Sequence, residues 1–194
     1  MPLKAKNISY ENSGDNFMKR KVIAVFLIIF SSSVYSQNNR IGNTDLGAVT
    51  HSEAFLQVMK MVGDWEGKLH QPDGTIVDTS TSFKLTSNGN TVVETLVEDG
   101  VEMITTYSDK DGELVVKHYC ALGTEPMFTA ASVDSTSLNL VSDPTPGYDA
   151  STENFVESMK WTLDSDMPTE YRVDGAINMD GEVITQYSLF QRVN

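Results

Sequence analysis

Apolar and polar positions change rhythm once along this chain. Between His51 and Val62, the residues Phe55, Val58, Met59 and Val62 recur at helical spacing, which predicts a short amphipathic helix ended by Gly63. After Gly63 the period becomes two, in runs rich in Val, Ile, Thr, Tyr and Phe. Strands are predicted over Asp64–His70, Thr75–Thr86, Thr91–Glu98, Val101–Ser108, Glu113–Cys120, Met127–Val133, Ser137–Ser142, Phe155–Leu163, Thr169–Ile177 and Glu182–Arg192. Turn signals punctuate them, among them Pro72-Asp-Gly74, Asn88-Gly-Asn90, Asp99-Gly100, Asp109-Lys-Asp-Gly112, Asp134-Ser135, Asp164-Ser-Asp166, Asp174-Gly175 and Asp180-Gly181.

About ten sequential strands with short links suit an all-β fold, an antiparallel up-and-down β-barrel, because closure removes every exposed strand edge. A two-sheet sandwich with crossing connections would leave the same local pattern. The one long connection, Asp143 to Asn154 with Pro144, Pro146 and Gly147, is expected at a barrel mouth as a rim or lid. The residues from 51 to 194 therefore form one domain, and Gln37–Thr50, polar and without periodicity, reads as a flexible leader.

The segment ahead of that leader changes the setting. Met18-Lys-Arg-Lys21 is basic, Val22–Phe30 is apolar, and Ser31–Ser36 is rich in small residues, the three parts of a secretory signal over 18–36. The apolar run falls short of the roughly 20 residues that span a bilayer, so cleavage near Gln37 and an exported, periplasmic or extracellular protein are expected. Residues 1–17 are polar and read as an extension upstream of the true start. No cysteine follows the apolar run until Cys120, so a lipid anchor is not expected.

Composition narrows the partners. The formal net charge is −13, and the signal segment is basic, so the mature surface is more acidic still. Phosphate backbones and anionic lipid surfaces are disfavoured by such a field. A single cysteine excludes an internal disulfide, so stability must come from the core.

Candidate chemistry follows from strand alternation. In Glu113–Cys120, Leu114, Val116, His118 and Cys120 share one face, which turns an imidazole and the only thiol inward. Glu94 alternates with Val92 and Leu96; facing inward, its carboxylate would need a donor such as Tyr107 or His118. Trp65 points inward with Gly67 and Leu69, as a plug at the barrel floor or a surface for ligand stacking. His118 can act as a core residue, as a proton-transfer or ligand-orienting group, or, with Cys120 and Glu94, in a metal site, for which the spacing is a weak signal. A Cys120–His118 dyad is disfavoured because residues i and i+2 of one strand project about 7 Å apart. Asp109-Lys-Asp111-Gly112 lacks the later ligands of a calcium loop and reads as a hairpin turn. No hydrolase elbow, zinc-protease motif, phosphate loop or dinucleotide fingerprint is present.

The stretches Val62-Gly-Asp-Trp-Glu-Gly67, Asn90-Thr-Val-Val-Glu-Thr95, Glu102-Met-x-Thr-x-Tyr107 and His118-Tyr-Cys-Ala-Leu-Gly123 carry a resemblance. The chain is similar to uncharacterised, secreted, lipocalin-like bacterial proteins near the domain-of-unknown-function 1579 family, over most of Phe55–Val193. That resemblance implies a calycin-like barrel and an exported bacterial setting, and it carries no activity with it. Among wider calycins, nitrobindin-like proteins bind haem through a histidine near the C-terminus, and Glu182–Arg192 contains none. No cofactor or metal is expected. The expected function is binding of a small, mainly apolar ligand, oriented by His118, Glu94 and Tyr107, with Trp65 and Cys120 as further lining; an enzyme using His118 and a packed interaction module are the alternatives.

Overall fold

The computed structural model describes residues 40–193. The readings of 1–17 as an extension and 18–36 as a signal lie outside the described residues. The leader carries a small antiparallel ribbon, β1 (Arg40–Ile41) with β2 (Thr44–Asp45), closed by an Arg40–Asp45 ion pair at 3.0 Å.

Helix α1 (Glu53–Met59) is shorter than its periodicity predicted. Seven residues are too few to hold a helix by propensity alone. Its stability comes from the Ser52 hydroxyl, which accepts from Phe55 N at 3.1 Å, and from burial of Ala54, Phe55 and Val58. Met61 continues the buried face past the last helical turn.

Ten strands follow: β3 (Gly63–His70), β4 (Ile76–Thr86), β5 (Thr91–Glu98), β6 (Val101–Lys110), β7 (Glu113–Tyr119), β8 (Met127–Val133), β9 (Ser137–Asp143), β10 (Phe155–Leu163), β11 (Glu170–Met179) and β12 (Glu182–Arg192). Each pairs antiparallel with the next, and β12 pairs with β3, so the sheet closes as an up-and-down barrel. Asp99-Gly100, Asp111-Gly112 and Asp180-Gly181 all have positive φ at both residues, as tight primed hairpin turns require. Asp174-Gly175 is the exception among the turn signals: it lies inside β11, paired with Gln186 and Tyr187.

The seam between first and last strands is held by a clasp at the helix end. Arg192 lies opposite Trp65 with its guanidinium 4.0 Å over the indole. It donates to the carbonyls of Lys60 (2.8 Å), Val62 (2.8 Å) and Pro168 (3.0 Å), while the indole N–H donates to Met61 O at 2.8 Å. Helix exit, first strand, last strand and the β10–β11 link are thereby tied at one point. Gly67 lets the seam close tightly, since a Cβ there would stand 2.2 Å from Leu189 O.

Above the clasp an aromatic stack fills the helix half of the interior. Tyr171 meets Trp65 edge-on at 4.8 Å and stacks on Phe190 at 4.7 Å, and Trp161 packs against Phe83 and Tyr107. At the opposite end lies the long connection between β9 and β10. It is strapped to the outside of the wall: Tyr148 stacks on Phe155, and Asn178 donates to Ala150 O (2.8 Å) and Glu153 O (2.7 Å). Phe155 pairs with Asn178, the face opposite to Ile177 and Val156. The connection also reaches the β7–β8 link, where the Thr124 hydroxyl donates to Asn154 O at 2.9 Å and Glu125 N donates to the Tyr148 hydroxyl, so it forms a rim.

Two substitutions test the seam. Gly67→Ala is expected to cost at least about 2 kcal/mol through backbone overlap, and Trp65→Ala about 3–5 kcal/mol through the cavity it leaves. Urea unfolding monitored by circular dichroism measures both.

Candidate functional site

Three strands bring the interior polar groups into one row. Glu94 on β5 stands directly opposite Thr105 on β6, and Thr105 directly opposite His118 on β7, so all three project from the same face. Glu94 and His118 are 7 % and 4 % exposed, and Thr105 is buried with them. Tyr107 OH donates to Glu94 Oε2 at 2.6 Å and Thr81 donates to Oε1 at 2.9 Å. The Thr105 hydroxyl lies 2.9 Å from His118 Nδ1 and also bonds to the Glu94 carboxylate. With Thr105 donating to Glu94, His118 Nδ1–H donates to Thr105, which leaves Nε2 as the imidazole's free acceptor.

Desolvation sets the charge states of this row. Burial raises the Glu94 carboxyl above its ordinary range, against the opposing effect of its Tyr107, Thr81 and Thr105 donors. Burial also pushes His118 down to about 4, so its ring is neutral at neutral pH. The Tyr107 hydroxyl is held well above its ordinary value by burial and by the adjacent Glu94 charge.

A further acid belongs to this interior. Glu98 follows Glu94 by four residues on β5, opposite Thr79, and burial together with the Glu94 charge lifts it to about 7. Alternation from Glu94 is the sequence signal for it: Val92, Glu94, Leu96 and Glu98 share one face. Thr81 and Thr105 also escaped the sequence reading, because threonine is an ordinary strand residue and only register shows what its hydroxyl meets.

The sequence candidates divide by position. Glu94, Tyr107 and His118 join one network, in which Tyr107 and not His118 is the donor to Glu94. Trp65 is committed to the clasp at the floor. Cys120 is half-buried just past β7, with its thiol pushed up by burial. Among the described residues, His118, Cys120 and Glu94 do not gather into a three-ligand metal set.

Burial of the inward residues is uneven. On the helix side of the row, Phe83, Val92, Leu114 and Val116 are fully packed, while Leu85 and Val133 keep partial exposure. On the mouth side, Leu69 and Met103 are buried, whereas Leu96, Cys120, Met159, Val173 and Ile177 pack against the core yet keep partial exposure, as do inward-facing Glu98 and Gln186. A separate groove of about 970 Å³ runs along the outer face of the β3–β12 seam, where Glu66, Lys68, His70, Leu189 and Gln191 alternate with the interior residues. It contains none of the polar row.

No protein-family model matches the chain, and no curated protein matches it. Solved structures with similar folds include a protein of unknown function from the DUF3598 family of Nostoc punctiforme, at 13 % identity and TM-score 0.49, covering 70 % of this chain and 49 % of that one. A redesigned β-barrel bound to DFHBI matches at 17 % identity and TM-score 0.37, covering 73 % of this chain and 100 % of that one. The protein itself is a closed ten-stranded antiparallel barrel with a buried carboxylate–hydroxyl–imidazole row.

The opposed shifts give a pH test. Glu98 is raised from 4.5 to about 7, so between those values the unfolded chain releases a proton that the folded chain keeps, and stability falls as pH rises. His118 is lowered from 6.5 to about 4, so across that window the unfolded chain binds a proton that the folded chain refuses, and stability rises with pH. Each slope is at most about 1.4 kcal/mol per pH unit, and they oppose one another where the windows overlap. Between about pH 4.5 and 6.5 the two contributions cancel, so Glu98→Gln should add a rise of Tm with pH across that window and His118→Asn a fall; calorimetry in which neither variant alters the profile would show both groups solvated.

Proposed function

We propose that this chain is an exported, lipocalin-like, small-molecule-binding protein that takes a mainly apolar ligand through the mouth opposite α1. The observation that carries this reading is the incomplete burial of inward apolar side chains towards the mouth. Packed aromatic rings fill the helix half, whereas Leu96, Met159, Val173 and Ile177 on the mouth side keep partial exposure beside buried Leu69 and Met103. A closed barrel with one sealed end and one wet, apolar end is a cup, the shape of pocket that buries most of a small ligand. The β9–β10 connection, held by Asn178 on one side and by Thr124 of the β7–β8 link on the other, would frame that mouth as a rim.

The row Glu94–Thr105–His118 forms the base of that cup. Its groups are fixed by their mutual hydrogen bonds, so they can orient the polar end of a ligand without reorganising. Export rests on the tripartite segment ahead of Gln37, and kinship with the domain-of-unknown-function 1579 proteins on the motifs at Trp65 and His118–Gly123.

Titration with the neutral fluorophore N-phenyl-1-naphthylamine tests the reading. Saturable fluorescence enhancement is expected, with roughly micromolar Kd for burial of one aromatic probe. Met159→Trp, which fills the lumen, should weaken binding at least about tenfold. Leu189→Trp, on the outer groove, should leave it unchanged. Loss of binding in Leu189→Trp alone would move the site outside the barrel.

A further inference from the structure

Glu98 stands apart from the other inward-facing charged groups that line this interior; Asp109, at the helix end, accepts from Ser52 N through one carboxylate oxygen and leaves the other without a partner. Arg192 is engaged at the floor with three backbone carbonyls and the Trp65 ring. His118 is neutral and bonded to Thr105. Glu94 accepts from Tyr107 and Thr81. Glu98, by contrast, faces the mouth half with no hydrogen-bond or ion-pair partner among the described residues, and its nearest charge is the like charge of Glu94. The lysines of the strands, such as Lys68, Lys84 and Lys117, occupy the alternate, outward face.

A part-buried carboxylate without a donor is costly, and such groups are ordinarily paired. Nothing inside this barrel supplies the pair, while apolar Leu96 and Cys120 stand close by. We infer that the ligand of this cup is an amphiphilic amine, an apolar body bearing a cationic N–H donor that pairs with Glu98 at the lumen wall. The inference rests on the binding reading above and adds the sign of the ligand. The same two carboxylates repel fatty acids and other anionic amphiphiles, and no inward cation is available to receive them.

Displacement of N-phenyl-1-naphthylamine by octylamine, octanoate and octan-1-ol, at about pH 8 where Glu98 is ionised, separates the possibilities. Octylamine should compete roughly tenfold to a hundredfold better than octanoate, the range of one charge-assisted hydrogen bond. Glu98→Gln should remove most of that preference while leaving octan-1-ol unchanged, which also verifies that the variant is folded. Octanoate competing as well as octylamine, or a preference that survives in Glu98→Gln, overturns the amine assignment and leaves the cup intact. Failure of N-phenyl-1-naphthylamine and of all three competitors to bind overturns both the assignment and the binding reading beneath it.

Discussion

The structure depends on the closure of β3 against β12. An up-and-down sheet of this size has two edges separated by the whole domain in sequence, and unless they meet, both are exposed templates for aggregation. Closure demands that the two strands approach closely and that the barrel end beneath them be sealed. Gly67 meets the first demand by presenting no Cβ to the Leu189 carbonyl. The second is met by Trp65 and Arg192, which turn the carbonyls left over at the helix exit into acceptors for an indole N–H and a guanidinium. Those carbonyls would otherwise be stranded near the core at a cost of order 1–3 kcal/mol each. The clasp therefore satisfies the helix end and fastens the seam with the same side chains.

Sealing one end determines what happens inside. Water is excluded from the helix half by stacked rings, so groups at the mid-barrel boundary lose solvation on one side. That loss, more than any neighbouring charge, moves Glu94 and Glu98 up and His118 down. The row of Glu94, Thr105 and His118 exists because three adjacent strands happen to be in a register that puts carboxylate, hydroxyl and imidazole directly opposite one another. Thr105 is the hinge of the arrangement, since its hydroxyl accepts from one neighbour and donates to the other. A valine there would keep the strand and break the row.

Much of the fold is legible from alternation and turn chemistry. The predicted strands differ from the observed ones by only a residue or two at their ends, because Asp-Gly turns and period-two patterning act locally. Asp174-Gly175 misleads for the same reason: two turn-forming residues carry no mark that distinguishes a hairpin from a position inside a long strand. Helix α1 is shorter than its apolar periodicity because the chain must leave the helix before Met61 to deliver its carbonyl to Trp65. The long connection reads as a mouth loop in sequence, but its attachment outside the wall depends on Asn178, whose partners lie 25 and 28 residues away.

The sequence by itself determined the strand count and the inward turn of Trp65, His118 and Cys120, since each follows from residues a few positions apart; it left open the connection order and the direction in which Glu94 points. Only the tertiary structure decided that the first strand closes on the last, that Tyr107 and not His118 serves Glu94, and that Glu98 is left without a donor. Those outcomes depend on cross-strand register and on how far water penetrates a closed barrel. Both are properties of strands meeting across the whole chain, and no local window of sequence contains them.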